Sequence, residues 1–132
     1  MYNKHFFLRQ DGVLKKIDLD GIVYIEAAKN YTKFYSTDDI YMARITFDAA
    51  MDLLPENKFL RVHRSFAAAA EHIDVIERDS VRFVSIRTEI PVSKKWYAAL
   101  ANQVIILDTA NIDIRKVKRT KAFKNKILLA RR

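Results

Sequence analysis

The sequence contains no cysteine. A disulfide framework, a thiol nucleophile and cysteine-ligated zinc or iron–sulfur centres are therefore excluded. The absence is compatible with a reducing cytoplasm, and a cytoplasmic location is the expectation. Glycine and proline number two each, so the chain is not of low complexity, and Gly12 and Gly21 alone cannot build a glycine-rich phosphate loop. No apolar run approaches the ~20 residues of a membrane-spanning helix. Met1-Tyr2-Asn3-Lys4-His5 lacks the apolar stretch of a signal peptide, so no membrane partner is expected. The histidines at 5, 63 and 72 have none of the four-residue spacing that holds a metal on a helix. No serine sits in a nucleophile elbow, and Asp38-Asp39 reads as a turn. These absences point away from an enzyme and away from any metal or cofactor.

What is present is an ordinary packed domain with an uneven charge. Half of the 132 residues are hydrophobic and 30% are charged, and the length suits one domain. The net charge is +8. Residues 1–110 carry 15 Lys/Arg and 15 Asp/Glu, whereas residues 111–132 carry nine Lys/Arg and one acid, Asp113. The excess is thus a tail on a balanced domain, and we divide the chain into a domain over 1–107 and a basic tail over 108–132. Such a tail favours a polyanionic partner, or serves only as a solvated, solubilising segment.

The hydrophobic pattern predicts a mostly β fold with short helices. Phe6-Phe7-Leu8, a turn at Gln10-Asp11-Gly12 and a resumption over 13–19 read as a hairpin. Residues 22–25, 31–36, 40–45, 59–62, 73–76 and 81–86 read as strands, with Thr32, Phe34 and Ser36 on one face of the second. Residues 67–70, four alanines, are ambiguous between helix propensity and a short strand. Phe47, Met51 and Leu54 form a helical stripe that Thr46 caps and Pro55 ends. A second helix starts at Ser93, with Trp96, Leu100, Val104 and Leu107 on one face. Ile90-Pro91-Val92 is an edge strand.

Three polar segments follow strand ends. Lys29-Asn30-Tyr31-Thr32-Lys33 combines two cations, an aromatic ring and hydrogen-bonding groups. Arg61-Val62-His63-Arg64-Ser65 offers two guanidinium forks able to grip guanine or phosphate. Ser93-Lys94-Lys95-Trp96 puts two lysines in the first turn of a helix, against its dipole by about 0.3–1 kcal/mol each. A bound phosphate would remove that conflict. Each segment also has a plainer reading as a solvated loop, strand face or helix start. Tyr24 and Trp96 could stack on bases or simply pack in the core.

Taken together, these residues resemble the LytTR-type DNA-binding domain of bacterial transcription regulators. The resemblance covers roughly residues 5–104. It rests on Phe6-Phe7-Leu8 with Asp11-Gly12, on the run from Ile17-Asp18-Leu19-Asp20-Gly21 through Ile22-Val23-Tyr24-Ile25-Glu26-Ala27, and on Leu53-Leu54-Pro55. It also rests on Phe59-Leu60-Arg61-Val62-His63-Arg64-Ser65-Phe66 and on Ile90-Pro91-Val92-Ser93. The resemblance implies an elongated arrangement of small antiparallel sheets, the LytTR-like β-β-β fold. It implies contact loops at Asn30-Tyr31-Thr32, His63-Arg64 and Ser93-Lys94-Lys95, inserted in successive major grooves. It also implies paired direct repeats, bent DNA and two copies side by side. Residues 67–70 depart from the larger apolar residues usual in the family, and the tail lies outside its pattern. Both a free-standing regulator and a fragment lacking a receiver domain remain open.

The expected function is sequence-specific binding of double-stranded DNA and transcription regulation, as in a response regulator of a two-component system. Arg64 and Lys95 are expected on bases, with Asn30 and Thr32 as partners. Arg61, Lys94, Lys29 and Lys33 are expected on phosphates. The alternatives are a non-specific RNA binder driven by the tail and a protein-interaction module.

Overall fold

The computed structural model describes residues 4–110. Expectations placed on the basic tail at 111–132 lie outside the described residues.

The chain begins with a hairpin of β1 (His5–Gln10) and β2 (Val13–Asp18). Gln10 pairs with Val13 across a two-residue turn. Asp11 and Gly12 both have positive φ, 51° and 79°, as a type I′ turn requires. After a 3-10 turn come β3 (Ile22–Ala28), β4 (Tyr31–Ser36) and β5 (Ile40–Ala43). Helix α1 (Phe47–Leu53) follows, capped by Thr46 Oγ1 accepting from the Ala49 amide. Strands β6 (Phe59–His63) and β7 (Phe66–Ala69) complete a five-stranded antiparallel sheet in the order β5-β4-β3-β7-β6. A second sheet joins β8 (Ile73–Ile76), β9 (Ser80–Phe83) and the edge strand β10 (Ile90–Pro91). Helix α2 (Lys94–Ala99) ends the fold and passes into a 3-10 turn. The mostly β expectation, with small antiparallel sheets and short helices, holds. Among the described residues, no helix is long and apolar enough to cross a membrane.

The central sheet is covered on both faces, and alternation along each strand feeds two cores. Ile25, Phe34, Ala67 and Ala69 face one core with Phe47 and Ala50 of α1, Ile17 of β2 and Phe6 of β1. Tyr24, Leu60, Val62 and Ala68 face the other with Val81, Phe83, Ile90 and Leu100. The alanine run is therefore a strand. Ala67 to Ala69 lie in β7 between β3 and β6, fully buried, and pairing on both sides overrides helix propensity. Ala68 sits opposite Tyr24. The Tyr24 ring is buried in the core, stacked on Tyr35 at 4.2 Å and Phe83 at 5.6 Å.

Three predicted elements are shorter than expected. The strand over 40–45 stops at Ala43, because the Ile45 amide turns back onto the Ala43 carbonyl. The strand over 81–86 stops at Phe83, after which the Val84 amide and the Ser85 hydroxyl bond to His72. The second helix does not reach Leu107. Its α-helical part ends at Ala99, the Val104 amide closes a tight turn on Leu100, and Leu107 is exposed.

Candidate nucleic-acid interface

Strand register brings the first two polar segments to one end of the central sheet, and a backbone hydrogen bond holds the third beside them. Glu26 of β3 pairs with Phe66 of β7, so the β3–β4 turn at Lys29 and Asn30 and the β6–β7 turn at Arg64 and Ser65 leave the sheet on the same side. The Ala27 amide donates to the Ser65 carbonyl at 2.8 Å and ties one turn to the other. Two strand spacings separate them, ~10 Å. The Ser93 amide donates to the Val62 carbonyl at 2.9 Å, which sets the start of α2 beside the end of β6. Thr32 pairs with Ala43, so Arg44 also emerges here.

In the first turn Lys29 and Asn30 are exposed, and Lys29 holds φ at 59°, a left-handed conformation unusual for a lysine. Tyr31 is exposed, with the Arg44 guanidinium 5.9 Å from its ring centre and its hydroxyl accepting from Arg44 Nη2 at 3.5 Å. That hydrogen bond raises the pKa of Arg44 above its ordinary value. Thr32 is a correction. It is fully buried, and its hydroxyl donates to the Ile45 carbonyl at 2.9 Å, so it shapes the loop from inside and meets no ligand. Lys33 stands further down the strand, half-buried opposite Glu26 and Met42.

In the second turn Arg64 is exposed, and among the described residues its side chain makes no ion pair or hydrogen bond. His63 Nδ1 accepts from the Ser65 amide at 3.0 Å, so a neutral ring carries its proton on Nε2. Arg61 is held by the protein itself. Its Nε donates to the His63 carbonyl at 3.0 Å, Nη2 donates to the Arg64 carbonyl, and Nη1 pairs with Asp48 at 3.0 Å. Its guanidinium carbon also lies 4.5 Å from the Phe47 ring centre and 5.0 Å from that of Trp96. Three of its five N–H donors are so engaged, which favours a structural role over the phosphate contact expected of it.

In the third segment Ser93 Oγ caps α2 by accepting from the Trp96 amide at 3.4 Å. Lys94 and Lys95 are exposed, and the Lys95 ammonium lies 5.3 Å from the Trp96 ring centre. Helix α2 has only six residues, so the anion site expected from its dipole loses its force. The lysines matter here for their position. Trp96 is half-buried, and the Arg61 guanidinium and the Lys95 ammonium both lie against its ring.

Two features are absent from the sequence expectation, the place of Arg44 and the pairing of Asp48 with Arg61. Arg44 carried a signal, a lone cation between a strand and a helix cap. The reach of Asp48 to Arg61, 13 residues away, carried none. Among the described residues no group of His, Asp and Glu could hold a metal ion.

Residues 12–105 match a family model described as the LytTr DNA-binding domain. Among solved structures the chain is similar to one described as the LytTr DNA-binding domain of a methyl-accepting/DNA response regulator from Bacillus cereus. The TM-score is 0.66 at 20% identity, over 76% of this chain and 96% of that one. No curated protein matches.

Proposed function

The chain belongs to the LytTr family of DNA-binding domains, and on that premise we propose that it reads a specific sequence of double-stranded DNA and regulates transcription. One observation carries this reading. Turns around residues 29–31 and 63–65 leave one end of the central sheet together, and the helix start at 93–95 is tied beside them, although the three are distant in sequence. Their exposed cations, with Arg44, gather at that end of the fold, as binding to a polyanionic duplex requires.

The roles follow from exposure and chemistry. Arg64 is an exposed guanidinium at a turn tip, unpaired among the described residues, and is suited to the O6 and N7 edge of guanine. Lys95 and Asn30 are the other base-reading candidates. Lys29, Lys94 and Arg44 neutralise phosphates, while His63, Ser93 and Tyr31 add hydrogen-bond donors at the same surface. Lys33 lies too far from the turn tip for more than a long-range contribution. Loops entering successive major grooves, paired direct repeats and a second copy on the DNA belong to the same proposal. So do a cytoplasmic location, a response-regulator role and the absence of catalysis.

Selection of bound duplexes from a random pool tests this directly. A short enriched motif, recurring as a direct repeat, is the expected result. Enrichment of single-stranded RNA in a parallel pool, or no enriched motif at all, would contradict it.

A further inference from the structure

We propose that Arg61 is a positioning residue for DNA reading, fixing the Arg64 turn against the start of α2 without touching DNA itself. The inference rests on the DNA-binding reading and assigns a residue within it. Arg61 leaves edge strand β6 and meets three separate elements. It donates to the carbonyls of His63 and Arg64, which are the backbone of the turn that carries the base-reading arginine. It pairs with Asp48 in the first turn of α1. Its guanidinium contacts the rings of both Phe47, the first residue of α1, and Trp96 of α2, against which Lys95 also lies.

Only a guanidinium does all of this. Its planar fork supplies donors in several directions, and its faces remain free to stack on aromatic rings. A lysine keeps the charge but is a point donor on a flexible stem. It cannot hold both carbonyls, the carboxylate and the two ring faces together. The Ser93–Val62 backbone bond seats the cap of α2 beside β6, and the Arg61 side chain then holds the Arg64 turn and the Trp96 ring in place relative to each other. Base reading by two groups needs their spacing fixed, whereas phosphate attraction tolerates its drift.

Arg61→Lys and Asp48→Asn separate positioning from phosphate contact. Asp48 is mostly exposed, so its substitution leaves the fold intact even if a change at Arg61 does not. Full-chain protein is titrated with the selected duplex and with duplexes altered at one base pair, at several salt concentrations. Arg61→Lys is expected to cut the preference for the selected duplex about tenfold at unchanged salt slope, and Asp48→Asn by a smaller factor. In the free protein, hydrogen exchange at the Ser65 and Trp96 amides should quicken together in Arg61→Lys. Wild-type base preference in both variants, with unaltered exchange, would overturn the proposal. So would an Arg61→Gln variant that keeps base preference and lowers the salt slope by about 0.9, the mark of a lost phosphate contact. A wild-type chain that prefers no duplex would sink the DNA reading itself, and the exchange result would still decide whether Arg61 couples the two elements.

Discussion

The Ser93 amide donates to the Val62 carbonyl at 2.9 Å, so the cap of α2 is fastened to the strand that runs into the Arg64 turn. Val62 is completely buried, which makes it a firm anchor. A backbone bond of this kind survives side-chain substitution. Variants at Arg64 and Lys94 should therefore report on ligand contacts and leave the scaffold in place.

Arg64→Ala is expected to relax base preference and weaken binding to the selected duplex by ~1–3 kcal/mol. Lys94→Ala should weaken all duplexes about equally and lower the salt slope by about 0.9. Anisotropy titrations over a range of salt concentrations distinguish the two patterns.

Thr32→Val removes one buried hydroxyl and keeps the shape. It should cost roughly 1 kcal/mol of folding stability, the usual net worth of one hydrogen bond. Base preference should be unchanged, because Thr32 has no path to the surface. Denaturant unfolding and duplex titration of the same variant check both halves.

A third expectation concerns acid. The hydrogen bond from Lys58 holds the Asp20 carboxyl below its ordinary pKa, helped by the charge of the same lysine. A group depressed in the folded state stabilises the fold fully above its unfolded pKa, about 3.9 for Asp. That contribution fades as pH falls through the lowered folded value. Asp20→Asn should therefore lower Tm at neutral pH, and its deficit should shrink toward pH 2. A deficit that stays constant with pH would show that the ion pair is not its source.

Much of this fold is readable from residue pattern alone. Asp11-Gly12 between apolar runs marks the first hairpin, and Thr46, Phe47, Met51, Leu54 and Pro55 mark α1 from cap to stop. The same alternation that puts Thr32 beside Phe34 on one strand face already argued against Thr32 as a contact, since Phe34 had to be buried. The state of Ala67 to Ala69 is not readable from the sequence, because pairing with β3 on one side and β6 on the other decides it, while Ala70 already opens a 3-10 turn. Arg61 was not readable either. Asp48 and Trp96 are distant in sequence, and only the folded sheet brings them to one guanidinium. The end of α2 was misread because Leu107 continues the helical spacing without a core to bury it.

Deleting residues 111–132 should lower the salt slope by about 0.9 for each phosphate that the tail neutralises, and leave base preference intact. An unchanged slope would make the tail a spacer or a solubility device.

The most direct measurement is a map of backbone amide chemical-shift changes as the full chain is titrated with its selected duplex. The expected perturbations fall together on residues 29–31, 44, 63–65 and 93–96, at one end of the central sheet. Perturbations centred on Asp20, Lys58 and Glu71, on the β1–β2 hairpin, or on only one of the three segments would contradict a shared DNA-facing edge.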